Sequence, residues 1–201
     1  MNAMAEPVVI WRLTDGKPGH DNQSLGLVEA LGRLVEVDAR NFHCTRLPPA
    51  GTRLPPPAFV IGAGRTTQKP LLALKRQWDT RAVVLMRPYV SPRAFDLCLI
   101  PEHDRPAPAS NVLATVGALN RVKPGPKRTS HGLILLGGPS AHHDWLDREV
   151  VSQCERICAQ QESTQWTICD SRRTPSRTRD LLRLTLPKVR YADYREVAAG
   201  W

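Results

Sequence analysis

Short apolar runs bounded by turn residues recur along this chain, and in its first third they alternate with helical periodicity. That pattern restricts the fold more than any other feature. It calls for a parallel sheet whose strands are buried on both faces and whose crossovers are helices. Val8–Thr14 reads as the first strand, and Asp15–Asn22 as a Gly/Pro loop. Leu25, Leu27, Val28, Leu31 and Leu34 then recur at close to helical period, which predicts a helix over Gln23–Leu34. Val35–Ala39 is the next strand. A strand, a loop, a helix and a second strand open a doubly wound α/β fold. Phe59–Gly62 is read as a strand, Thr66–Trp78 as a helix, and Ala82–Met86, Leu97–Ile100 and Val112–Thr115 as strands.

Val122–Ser130 breaks the pattern. It is rich in proline, glycine and charge and has no apolar run, so it reads as a linker between domains at residues 1–125 and 126–201. The pattern restarts after it. Gly132–Leu136, Gln165–Cys169 and Val189–Tyr191 are strand-like, with helices around Trp145–Gln160 and Ser176–Leu186. Three strands make a poor independent sheet. The expected fold class is therefore α/β, with a Rossmann-like N-terminal domain and an incomplete second Rossmann-like domain.

Composition narrows the partners. There are 28 Lys and Arg against 19 Asp and Glu, a net charge of +9. Such a surface attracts phosphates, acidic headgroups or nucleic acid. Aromatic residues are few and scattered, with no stacking platform, zinc knuckle or arginine–glycine tract, so no nucleic-acid partner is expected. Five cysteines without a CxxC pair read as reduced thiols, two of them (Cys98 and Cys169) in apolar strands. No stretch approaches the ~20 apolar residues that span a bilayer, and no signal peptide is legible. The expectation is a cytoplasmic protein, with peripheral contact at the inner face of the cell membrane.

Five loops follow strands and carry chemistry-bearing residues. The first holds Asp15, Gly16, Gly19, His20, Asp21 and Asn22. Its glycines let a ligand approach the backbone, and His20 is the candidate general base, with Asp15 or Asp21 to orient it. Its bland reading is a tight turn with Asn22 capping the helix. The second holds Gly64 and Arg65, which suit an anionic or sugar-like ligand, against helix capping by Thr66 or Thr67. The third holds Glu102 and His103, against a solvated polar loop. The fourth, Gly137, Gly138 and Ser140, suits a diphosphate, as does the fifth, Ser171, Arg172 and Arg173, the latter against plain surface charge. His142 and His143 follow the fourth loop and read as ordinary loop residues. No HxH, HExxH or Walker pattern occurs, so no metal is expected. One shared edge for all five loops is the expectation for the fold.

Taken whole, Asp15-Gly16-Lys17-Pro18-Gly19-His20-Asp21-Asn22-Gln23-Ser24-Leu25-Gly26-Leu27 resembles the mitochondrial-fission ELM family, which is classed with glycosyltransferases. The likeness recurs at Gly62–Arg65, Pro101–Arg105, Gly117–Arg121, Gly137–Ser140 and Ser171–Pro175. The resemblance implies a GT-B fold without metal or other cofactor. It implies a nucleotide-sugar donor on the second domain and a lipid-linked or saccharide acceptor on the first. By that resemblance Gly16, Gly19, Asn22, Gly64, Arg65, Glu102 and His103 meet the acceptor. Gly137, Gly138, Ser140, Ser171, Arg172 and Arg173 meet the donor phosphates. It also implies a continuation beyond the position of Trp201 that holds the donor's base and ribose. The expectation for these 201 residues is therefore weak, salt-sensitive diphosphate binding and impaired transfer. The family's namesake role implies an alternative, a non-catalytic adaptor or membrane-surface organiser.

Overall fold

The structure, a computed structural model, describes residues 6–123, 125–140 and 144–195. The chain divides into two compact units, Met1–Pro124 and Gly125–Trp201. His142 and His143 lie outside the described residues.

The first unit contains β1 (Val8–Thr14), α1 (Pro18–Leu31), β2 (Val37–His43), β3 (Phe59–Ala63), α2 (Arg65–Trp78), β4 (Arg81–Leu85), β5 (Leu97–Pro101) and β6 (Val112–Thr115). Its six strands are all parallel, in the order β2-β1-β3-β4-β5-β6. Strand residues alternate between two cores, as the two-residue period of a strand requires. Trp11, Leu13, Val60, Val84 and Cys98 pack with Leu71 and Leu74 of α2 on one face. Ile10, Ile61, Val83 and Leu99 pack with Val28 of α1 on the other. Trp11 anchors the first core edge-to-face against Phe42 and Trp78, with centroids 5.1 and 4.9 Å away.

Arg12 points to the α1 face and is 7% exposed. Its Nε donates to Asn41 Oδ1 at 2.6 Å and its Nη1 to Ser24 Oγ at 3.0 Å. Nη1 also lies 3.6 Å from Asp21 Oδ1. Burial lowers the guanidinium pKa, Asp21 raises it and Arg121 lowers it again, leaving it below its ordinary value. A buried charge needs such partners, and here they fasten α1 to β1.

The helix that the apolar period placed over Gln23–Leu34 begins instead at Pro18 and ends at Leu31. Proline at the first helical positions costs no hydrogen bond, so Pro18 starts the helix where the sequence read a breaker. Lys17 is the N-cap and no side chain caps this end, so Asn22 is a helical residue and not the cap. Leu34 lies beyond the helix and is 81% exposed. The next strand is correspondingly later, Val37–His43 rather than Val35–Ala39. Gly26 lets α1 press on the main chain of Asn120, where any Cβ would collide. Arg121 closes that seam with Nε 3.0 and 3.1 Å from the two carboxylate oxygens of Glu29.

The second unit contains β7 (His131–Leu135), α3 (Asp147–Gln160), β8 (Gln165–Cys169), α4 (Ser176–Thr185) and β9 (Arg190–Ala192). Its strands are parallel in the order β7-β8-β9. Both crossovers run in the same direction, so right-handedness puts α3 and α4 on one face. There Val151, Cys154 and Leu182 cover Leu136 and Ile168. On the other face Leu133 and Leu135 are 57% and 71% exposed. The units are thus α/β, a six-stranded Rossmann-like sheet and a smaller parallel sheet, the class implied by the strand pattern. Among the described residues, no helix is long and apolar enough to cross a membrane.

Candidate functional site

In the first sheet β1 connects outward to β2, and the chain then returns to β3 on the other side of β1. The strand order therefore reverses between β1 and β3. At such a switch point the loops leaving neighbouring strands part in opposite directions and open a crevice at the strands' carboxyl ends. The residues leaving β1 and β3 here are Asp15–Lys17 and Gly64.

These loops build a contact that links distant parts of the sequence. His20, on the first turn of α1, places Nδ1 2.9 Å from Asp15 Oδ2. Thr66, on the first turn of α2, donates its hydroxyl to the same oxygen at 2.6 Å. The Lys17 N–H donates to Asp15 Oδ1 at 3.2 Å. The Asp15 and His20 side chains are 3% and 19% exposed. Burial alone would raise the Asp15 pKa, but the hydrogen bonds from Thr66, His20 and the Lys17 N–H outweigh it and hold the carboxyl below its ordinary value. An ionised carboxylate only accepts hydrogen bonds, so Nδ1 of His20 carries the proton and Nε2 is the basic nitrogen.

Gly64 explains how the imidazole fits. Its φ of +83° is a conformation that side-chain-bearing residues avoid, and a Cβ there would collide with the His20 ring. The ring thus lies against bare backbone. Sequence reasoning gave Gly64 to the substrate; the structure shows it seating His20. Asp21 pairs with Arg12 rather than with His20, so of the two acids offered to orient the base, Asp15 makes the contact.

The remaining candidates of this unit are spread along the same carboxyl edge. Gly16 has a φ of +73°, and a Cβ on Gly19 would meet open space. Gly16, Gly19 and Asn22 are exposed. Arg65 lies 4.7 Å over the Tyr89 ring. Glu102 and His103 are exposed in a 3-10 turn after β5, with His103 Nε2 3.8 Å from Asp104 Oδ1. β5 lies two strand positions from β3, about 10 Å along the edge. Among the described residues no hydrogen bond or ion pair joins these two to His20. Cys44 follows β2, and burial first and the Asp15 charge second raise its thiol pKa, so it is not a thiolate nucleophile at neutral pH.

In the second unit the loops after β7 and β8 are tied together. Ser171 Oγ and Thr174 Oγ1 both donate to the Gly137 carbonyl, at 3.1 and 2.5 Å. Gly138 packs against the Arg173 backbone so closely that a Cβ would collide with its carbonyl. Ser171 and the two glycines therefore hold the loop pair in shape. Arg172 and Arg173 are exposed and make no ion pair among the described residues. Ser140 is half-buried. Below them Asp170, whose side chain is wholly buried, pairs with Arg179 at 2.9 Å and accepts the Tyr194 N–H at 2.6 Å. Thr66, Arg12 and Asp170 were not anticipated as supports. The one readable signal was a charged residue inside or at the end of an apolar strand, as Arg12 and Asp170 are. Among the described residues, no group of three or more His, Cys, Asp and Glu is placed to hold a metal ion.

Residues 18–198 match the family described as mitochondrial fission ELM1. The chain belongs to that family. The matched span takes in both units, from the first turn of α1 past β9, and so includes His20, Gly64 and Thr66 and the loop pair of the second unit, while Asp15 lies just before it. No curated protein matches this ELM1-family chain. Among solved structures, the S. aureus MnaA–UDP co-structure bears a loose likeness to it. The TM-score is 0.49 at 11% identity, over 94% of this chain and 71% of that one.

Proposed function

We propose that this chain is a glycosyltransferase that moves a sugar from a nucleotide-diphosphate donor to a lipid-linked or saccharide acceptor. The observation that carries the reading is the His20–Asp15 pair at the switch point of a doubly wound sheet. That is where such sheets bind ligands, and the pair is built as a general base is. Asp15 is kept ionised and fixes the tautomer, and Thr66 and Gly64 hold the two side chains in place.

In the proposed reaction Nε2 of His20 takes the proton of an acceptor hydroxyl. The hydroxyl oxygen forms its bond to the sugar's anomeric carbon. The bond from that carbon to the diphosphate oxygen breaks, and the nucleoside diphosphate leaves with the electron pair. Arg172 and Arg173 are assigned to the leaving diphosphate, whose developing charge two guanidinium groups would offset. Ser140 keeps its proposed donor-side role. Ser171, Gly137 and Gly138 act by shaping the loop that presents the arginines.

The test is to incubate the chain with a panel of uridine and guanosine diphosphate sugars and with lipid-linked and free saccharide acceptors. Mass spectrometry should find an acceptor heavier by one sugar, with release of the nucleoside diphosphate. A folded protein that neither binds a diphosphate sugar nor transfers from one across that panel would contradict the reading and favour a non-catalytic adaptor.

A further inference from the structure

Beside the His20 cluster, the loops after β3 and β4 hold a feature that a general base does not need. Arg65 opens α2, is exposed, and makes no ion pair among the described residues. Its neighbour Thr66 is the residue that grips Asp15. The Arg65 guanidinium lies 4.7 Å from the Tyr89 ring centroid. Tyr89 is itself held from below. Its N–H donates to Gln68 Oε1 at 3.1 Å, and Gln68 is 1% exposed. The turn that delivers Tyr89 is strained, because Met86 takes a φ of +72° without being glycine, while its N–H stays bonded to Leu99 O at 2.9 Å. Strain of that kind persists only where the surroundings over-determine it, and it concentrates at ligand clamps.

A guanidinium stacked by its face on an aromatic ring keeps its in-plane N–H donors for a ligand. Its orientation is set before binding, so less freedom is lost when an anion arrives. The nearby carboxylate, Asp15, already accepts from His20, Thr66 and Lys17 and does not compete. Lys17 and Arg87 are exposed on the same edge of the sheet. A rim with several cations favours a dianion over a single carboxylate.

We propose that Arg65, stacked on Tyr89, clamps a phosphate carried by the acceptor, next to the base that would deprotonate it. The proposal rests on the glycosyltransferase reading and names the acceptor's class, a phosphate-bearing molecule. Tyr89 and Gln68 are positioning residues for the clamp.

The experiment follows the Arg65 Nε–H and His20 ring signals by NMR in the full chain, with affinities from calorimetry. Geranyl phosphate and a sugar 1-phosphate distinguish a lipid-linked from a saccharide source, with inorganic phosphate and acetate as simple anions. One of the two organic phosphates should bind more tightly than either simple anion and move both signals. Arg65→Gln should weaken that binding about tenfold and Tyr89→Leu about threefold, while Arg148→Gln, far along the chain on α3, should leave it unchanged. Equal affinity in Arg65→Gln, an equal loss in Arg148→Gln, or binding no tighter than that of the simple anions would overturn the clamp. Binding needs no turnover, so the two readings fail separately. Arg65-dependent binding with neither binding nor transfer of any donor sugar would remove the glycosyltransferase reading and keep the clamp. Transfer whose acceptor KM is unmoved by Arg65→Gln would remove the clamp alone.

Discussion

Two glycine loops in this molecule look alike in sequence and differ in what fills the space that a side chain would occupy. Gly64 follows a strand in the first unit, and a Cβ there would meet the imidazole of His20. Gly138 follows a strand in the second unit, and a Cβ there would meet the carbonyl of Arg173. The first glycine makes room for a titratable side chain that is itself held by a buried carboxylate. The second makes room for another loop's main chain. A glycine after a strand therefore signals close approach in both cases, and only the identity of the approaching atom separates a site from a scaffold.

Substitution at each glycine sharpens that contrast. Gly64→Ala has the larger expected effect of the two. It adds backbone strain to a collision with the base, and it should cost about 1–3 kcal/mol of stability. Because it displaces His20, turnover in the transfer assay should fall by about 10²–10⁴, the size of a lost general base. Gly138→Ala should also cost about 1–3 kcal/mol, but only in the second unit, since the main chain it would strike, that of Arg173, belongs to the same unit. Hydrogen exchange should show faster exchange at β7 and β8 and unchanged exchange at β1 and β3. A Gly138→Ala protein whose first unit loosens instead would break the distinction.

Thr66→Val sharpens it further. It removes one hydrogen bond to an ionised acceptor at a partly exposed position, worth about 1 kcal/mol, and Thr66→Ser should restore it. Chemical denaturation measures the difference. The smallest effect is on acid sensitivity. Asp15 and Asp96 both have folded pKa values below the ordinary 3.8. For Asp96, burial raises the value, but the Lys75 ammonium at 2.8 Å and the Ala82 N–H outweigh it. A carboxylate with a depressed pKa contributes stability above its unfolded value and loses it as pH falls through the folded one. Asp15→Asn should therefore be less stable than the parent near neutrality, and should lose less between about pH 5 and about pH 2. Parallel melting curves for the two proteins across that range would refute the assignment of Asp15 as ionised.

Much of the fold was legible because it rests on local patterns. Val112–Thr115 and Gln165–Cys169 are strands over the residues that their apolar runs marked. The start of α1 was not legible, because Gly16, Pro18 and Gly19 read as breakers while proline in fact suits a first turn. That difference put His20, Asp21 and Asn22 on a helix rather than in a loop, and so changed their partners. The supports of the site were hidden for another reason. Thr66 reaches Asp15 across 51 positions, and Gly64 meets His20 across a parallel strand pair. No local period records contacts of that range. A sequence names the imidazole and the acids, while the start of α1 at Pro18 decides which acid the imidazole meets.

Kinetics of His20→Ala against the parent decide whether His20 is the base of a transfer reaction. At saturating donor and acceptor, the variant should lose about 10²–10⁴ in kcat while the donor Kd, measured separately by calorimetry, stays within about a factor of two. A His20→Ala protein that transfers sugar at the parent rate would contradict the account.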